Sequence, residues 1–223
     1  GLKLAVKGGG HNVAGKAVCD NGLVIDLSPM DSVQVDPTAQ IARVEGGATM
    51  ADLDHETQAH GLAVPGGIIS STGVAGLTLG GGWGRLARKY GLTIDNLRSV
   101  HLVTGDGDLI QASEDRNPDL FWALRGGGGN FGVVVSLEFD LHEVGPEILG
   151  GRLAYAYEDA AEALRFYREF AREAPDAASI YWALVQAPPD PRFPESVWGD
   201  MLLLFTPFYA GDHEEGREAL EPL

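Results

Sequence analysis

The apolar positions of this chain fall into short runs separated by glycine- and proline-containing breaks, which predicts a strand-rich protein with a few short helices. Strands are expected over residues 2–6, 23–26, 32–35 and 41–45, with Ser28-Pro29 and Asp36-Pro37 as breaks. Thr49 can cap a helix over 50–60 that Gly61 ends. Residues 100–104 and 109–112 flank Gly105-Asp106-Gly107-Asp108, a hairpin signal because Asp-Gly suits a turn with positive φ. Asn117-Pro118 opens a helix that Gly126 stops, and a strand follows over 133–141. Further on, strands over 149–157, 179–186 and 201–209 accompany an amphipathic helix over 159–173, and another helix begins at 214.

Composition divides the same chain in two. Of 31 glycines, 27 lie at or before Gly150, whereas 8 of 12 prolines lie after Gly145. A domain boundary near Gly145 is therefore expected, giving domains over 1–145 and 146–223. Acidic residues number 32 against 16 basic ones, for a formal net charge of -16. That balance excludes general affinity for nucleic acid, which needs clustered Lys and Arg. No apolar run approaches the ~18 residues of a membrane span, so a soluble chain, with the cytoplasm as its expected location, is anticipated. Cys19 is the only cysteine, so no intrachain disulfide can form. The first residues read as a strand already in progress and the last as a helix just begun, which suggests a piece of a longer protein.

Several nucleotide and metal signatures occur and most fail on context. Gly10-x-x-x-x-Gly15-Lys16 is followed by Ala17, which has no hydroxyl for magnesium, and Asp20-Asn21-Gly22 turns the chain where a P-loop helix belongs. Gly127-x-Gly129-x-x-Gly132 follows a helix and precedes a strand, the reverse of the dinucleotide-binding order. Gly82-x-Gly84-x-x-Ala87 has no clear strand before it. His55 and His60 stand five residues apart and diverge by about 140° on a helix, so they cannot share a metal, and no metal site is expected. What survives is three glycine clusters, over 8–10, 73–84 and 126–132. Each can serve tight turns, or can bring backbone N–H groups close to an elongated anionic ligand.

Three segments carry a family likeness. Lys7-Gly8-Gly9-Gly10-His11-Asn12-Val13-Ala14-Gly15 is the first. The second is the 73–84 tract with Arg88-Lys89-Tyr90-Gly91-Leu92 and Asp95-Asn96, and the third runs from Asp119-Leu120-Phe121-Trp122 through Gly126-Gly127-Gly128-Gly129-Asn130-Phe131-Gly132-Val133-Val134. Together they resemble the FAD-linked oxidases of the berberine bridge enzyme and 6-hydroxy-D-nicotine oxidase type, in the vanillyl-alcohol oxidase superfamily, over about residues 2–145.

The resemblance implies an α+β fold: a PCMH-type FAD-binding domain plus the first part of an antiparallel-sheet substrate domain. It implies FAD as cofactor and His11 as the residue bonded to the flavin 8α-methyl carbon. Gly8, Gly9, Gly10, Asn12, Gly73, Gly76, Gly80, Gly81 and Gly82 would line the flavin and pyrophosphate, and Gly132, Val133 and Val134 would offer backbone to the adenosine half. Tyr90 and Asn96 either contact cofactor or pack. Lys7, Arg85, Arg88 and Lys89 either assist a phosphate or form a solvated face. Ile69 stands where some members carry a second, cysteinyl tether, so a single tether is implied. The reaction implied is hydride transfer from an alcohol or amine carbon of a small molecule to flavin N5, with a base removing the neighbouring proton and O2 as acceptor. Catalytic side chains are expected beyond Leu223. Two alternatives remain: a non-catalytic flavin-binding fragment and, more weakly supported, a P-loop-like nucleotide hydrolase.

Overall fold

The computed structural model describes residues 1–223 and divides into two compact units, Gly1–Pro146 and Glu147–Leu223. In the first unit the elements run β1 (Lys3–Lys7), β2 (Gly22–Asp26), β3 (Val33–Asp36), β4 (Ile41–Glu45), α1 (Met50–Gln58), β5 (Leu62–Ala63) and α2 (Val74–Leu79). They continue with α3 (Ala87–Tyr90), β6 (Leu97–Val103), β7 (Leu109–Ser113), α4 (Pro118–Leu124), β8 (Val133–Asp140) and β9 (His142–Glu143).

Five of these strands form one antiparallel sheet in the order β3-β4-β8-β6-β7. Its alternation follows the sequence: in β4, Ala42 and Val44 are fully buried while Arg43 between them is exposed. The buried faces of β4, β6 and β8 supply Val44, Val100, Leu102, Leu137 and Phe139, and Met50, Leu53, Val74, Leu79, Phe121 and Leu124 join the same core from α1, α2 and α4. Apart from this sheet, β1 lies parallel to β2, with residues 8–21 as the connection, and β5 pairs with β9.

The helix ends differ from expectation in instructive ways. Helix α1 stops at Gln58, short of His60, and Gly61 takes a left-handed φ of 66°. At its start the Asp52 carboxylate accepts hydrogen bonds from both the N–H and the Oγ of Thr49, at 2.8 and 2.7 Å. Asn117 precedes α4 in a left-handed conformation, and its side-chain amide donates to the Gln111 carbonyl at 2.7 Å instead of capping the helix. The glycine-rich 73–84 tract, for which no helix was expected, folds its first part into α2. There Val74, Ala75 and Leu79 are buried, and Thr78 Oγ1 donates to the Val74 carbonyl at 2.7 Å.

The second unit contains β10 (Leu149–Gly150), β11 (Leu153–Ala156), α5 (Ala160–Glu173), β12 (Ala178–Gln186), β13 (Met201–Tyr209) and α6 (His213–Leu220). Strand β13 is central: β12 pairs along one edge, and β10 and β11 share the other, all antiparallel. The single strand expected over 149–157 is thus two, interrupted at Gly151-Arg152. Phe205 and Leu203 of β13 pack with Ile180, Tyr155 and Tyr167 in this unit's own core. Tyr157, by contrast, is exposed.

Candidate cofactor site

The site begins where β1 ends. Gly9 and Gly73 meet backbone on backbone: a Cβ built on Gly9 would lie 2.2 Å from the Gly73 nitrogen, and one on Gly73 would lie 2.3 Å from the Gly9 nitrogen. No side chain fits between them. A Cβ on Gly8 would sit 3.1 Å from the Gly46 carbonyl oxygen, and Gly10 takes a left-handed φ of 75°. Gly9 therefore serves first to seat the loop against 71–73, and Gly8 lies against Gly46. The turn closes beyond His11: the Gly15 N–H donates to the Asn12 carbonyl, and the Lys16 N–H to Asn12 Oδ1 at 3.1 Å. No helix follows Gly15, which removes the P-loop alternative on geometry.

His11 is exposed, with Nε2 2.8 Å from Ser71 Oγ and Nδ1 3.4 Å from Thr72 Oγ1. The segment bearing those hydroxyls is anchored at the start of α1, where the Met50 and Ala51 N–H groups donate to the Thr72 and Ser70 carbonyls, both at 2.9 Å. These bonds satisfy two of the four N–H groups that a helix start leaves without intrahelical partners. The Val74 N–H in turn donates to the Ala48 carbonyl. Ser71 and Thr72 carry no motif of their own. The Ser-Ser-Thr run just before Gly73 is the sequence signal that could have drawn attention to them.

The remaining glycines sort by surroundings. A Cβ on Gly76 would meet nothing within 4 Å, so that backbone faces open space. Gly80 is exposed, while Gly81 and Gly82 take φ of 110° and 74° and turn the chain back, with the Thr93 and Ile94 N–H groups donating to the Gly82 and Gly81 carbonyls. Gly132 abuts Val103, where a Cβ would lie 2.5 Å from its carbonyl oxygen; Val133 and Val134 pair with Val103 and Leu102 as ordinary sheet residues. Gly46 and Gly47, absent from the expected set, are equally constrained: a Cβ on Gly47 would lie 1.8 Å from the Leu27 carbonyl oxygen.

Asn96 is buried and Tyr90 half-buried, each engaged with neighbours in the protein. The buried Asn96 amide donates to the Tyr90 and Leu92 carbonyls at 3.0 and 2.8 Å, which leaves Oδ1 to accept from His142 Nε2 at 2.6 Å. The His142 ring stacks on Tyr90 at 3.9 Å between centroids. Burial lowers the His142 pKa below the ordinary histidine value; nearby Asp140 opposes this shift and Lys89 adds to it. Lys7 donates to Asp26 Oδ2 at 2.9 Å, so it is engaged on the β1–β2 pair and does not form a purely solvated face. Asp26 is held far below the usual carboxylate range by hydrogen bonds from the Ser28 hydroxyl and N–H, with Lys7 contributing less. Ile68, Ile69 and Trp83, close in sequence to the contact of Gly84 with Gly66, stay more than half exposed. No group of three or more His, Cys, Asp or Glu is placed to hold a metal ion.

A glycine loop bearing an exposed histidine and open backbone at Gly76 suit a large anionic nucleotide. This is the class of FAD-binding domains. A family model described as "FAD binding domain" matches residues 1–113, and the chain belongs to that family of FAD-linked oxidoreductases. (R)-6-hydroxynicotine oxidase of Paenarthrobacter nicotinovorans is 44% identical over 156 residues, covering 70% of this chain and 34% of that protein. The crystal structure of 6-hydroxy-D-nicotine oxidase from Arthrobacter nicotinovorans superposes with a TM-score of 0.87 at 33% identity, over 99% of this chain and 47% of that one. A BBE-like protein of Arabidopsis thaliana gives 0.87 at 28% identity, over 99% and 44%. The fold is thus the PCMH-type FAD-binding fold and the cofactor is FAD. The chain spans less than half the length of these relatives.

Proposed function

We propose that this chain is the flavin-binding part of a covalent flavoprotein oxidase that acts on an alcohol or amine carbon of a small molecule. The observation that carries the covalent assignment is His11, exposed on a loop that backbone contact with Gly73 locks in place and held by two hydroxyls rather than a carboxylate. A hydroxyl can accept or donate, so these partners suit an imidazole with one N–H and one lone pair, and only the lone pair can bond to carbon. Ile69, where a second tether would stand, leaves the attachment single.

In this reading the loop 8–12 and the segment 73–82 hold the isoalloxazine and pyrophosphate, with the open backbone around Gly76 nearest the ligand. Residues 132–134 flank the adenosine half. When bound, FAD supplies a two-electron acceptor at N5. This chain's residues supply position: they fix the ring by one covalent bond and by backbone, so that the reacting C–H bond of the substrate meets it in a set orientation. The relatives named as oxidases support molecular oxygen as the acceptor.

The test is anaerobic mixing of the full-length protein with panels of small alcohols and amines. A substrate bleaches the visible flavin band, and admitting oxygen restores it with release of one hydrogen peroxide per turnover. Bleaching that oxygen fails to reverse would make the protein a dehydrogenase with another acceptor.

A further inference from the structure

The two nitrogens of His11 are held unequally. The 2.8 Å separation of Nε2 from Ser71 Oγ is that of a full hydrogen bond, whereas the 3.4 Å from Nδ1 to Thr72 Oγ1 is at the weak limit. Both partners sit on backbone that is itself hydrogen-bonded or closely packed. The carbonyls on either side of Ser71 are tied to the first N–H groups of α1, and the Thr72 N–H closes a turn onto the Ile69 carbonyl at 3.0 Å. On the other side, the contact of Gly9 with Gly73 fixes the histidine loop, and a Cβ on Gly9 would lie only 2.9 Å from the Ser71 carbonyl oxygen. Hydroxyl and imidazole face each other from two backbones that are locked together, although 60 residues separate them in sequence.

We propose that Ser71 is a positioning residue for flavin attachment: its Oγ accepts the Nε2–H of His11, fixing the neutral tautomer whose lone pair lies on Nδ1, the nitrogen that bonds to the flavin. This rests on the covalent reading above. A neutral imidazole has one N–H and one lone pair, and only the lone pair can attack carbon. The Thr72 contact is the weaker of the two, so Nδ1 is the nitrogen more easily released. The bond forms between Nδ1 and the 8α carbon as one C–H bond of the methyl group breaks. That proton leaves, and the Nε2 proton leaves through the Ser71 hydroxyl to solvent. The two electrons are taken up by the flavin ring system until molecular oxygen removes them, with two protons, as hydrogen peroxide. Ser71 can then donate to the lone pair left on Nε2, since a hydroxyl both accepts and donates.

The experiment mixes flavin-free full-length protein with FAD and follows two quantities: quenching of free-flavin fluorescence, for binding, and flavin retained after denaturation, for attachment. Ser71→Ala slows attachment by about fivefold to tenfold, the factor that one lost hydrogen bond supplies, while FAD still binds. Ser71→Thr restores the rate, and Thr72→Val stays within about twofold of the parent protein. NMR of the flavin-bearing peptide from the unaltered protein shows attachment at Nδ1. Attachment by Ser71→Ala at the parent rate, a larger loss in Thr72→Val than in Ser71→Ala, or linkage through Nε2 overturns the proposal. If Ser71→Ala fails to bind FAD, slow attachment in an FAD-binding Ser71→Thr variant is equally contrary. Covalent flavin in His11→Ala would instead remove the reading beneath it.

Discussion

Gly9 and Gly73 occupy each other's missing side-chain space, each standing where a Cβ on the other would clash with a backbone nitrogen. This contact joins the histidine loop to the segment that carries Ser71 and Thr72. Neither partner can relax by rotating a side chain, because the colliding atoms are main-chain atoms. Gly9→Ala or Gly73→Ala is therefore expected to destabilise the protein by about 1–3 kcal/mol through forced backbone displacement, and to abolish covalent flavin. Thermal unfolding and flavin retention after denaturation check both. Full retention at unchanged stability would contradict the contact.

Gly76 provides the opposite case. It lies inside α2 with open space where a side chain would be, so Gly76→Ala removes an unfavourable helix glycine without a clash. The flavin-free protein is expected to gain about 0.5–1 kcal/mol, and if the backbone around Gly76 lines the cofactor as proposed, the added methyl weakens FAD binding. Denaturant titration and FAD titration separate the two effects. A stabilised variant with unchanged FAD affinity would show that this glycine serves the helix alone.

Phe139 is fully buried at the centre of the five-stranded sheet, paired with Ala42 of β4 and Leu97 of β6. Phe139→Ala should cost about 3–5 kcal/mol by transfer and cavity formation. The denaturation midpoint of the flavin-free protein falls accordingly. Leu109, largely exposed on β7 of the same unit, gives the control, since truncating it lowers the midpoint far less.

The His142 pKa is lowered by burial, so the unfolded chain takes up this proton at higher pH than the folded one. Its contribution to stability is whole above the ordinary histidine value near 6.5 and is lost as pH falls from there toward the folded pKa. Between about pH 7.5 and about pH 5, the denaturation midpoint should therefore fall further in the parent protein than in His142→Gln. Equal falls in the two proteins would assign the pH dependence elsewhere.

How far the sequence carried the structure depends on the range of each interaction. Local signals held: short apolar runs between breaks marked β4 and β13, Asn117-Pro118 marked the start of α4, and Gly61 marked the close of α1. The three glycine-rich motifs, taken together, led to the family. What stayed hidden is non-local. The parallel pairing of β1 with β2 spans residues 8–21, and no pattern within either strand encodes its partner. Helix α2 is masked because glycine is a poor helix former; burial of Val74, Ala75 and Leu79 overrides that preference. The glycines of the 8–10 cluster suggested open approach to a ligand, yet Gly9 is needed for close packing against Gly73, a distinction only the folded backbone makes.

The central claim is the bond between His11 and the flavin, and the visible spectrum before and after acid precipitation of the full-length protein tests it most directly. The flavin is expected to stay with the precipitated polypeptide, and His11→Ala to release it to the supernatant. Flavin released in full from the unaltered protein, or still retained by His11→Ala, would contradict it.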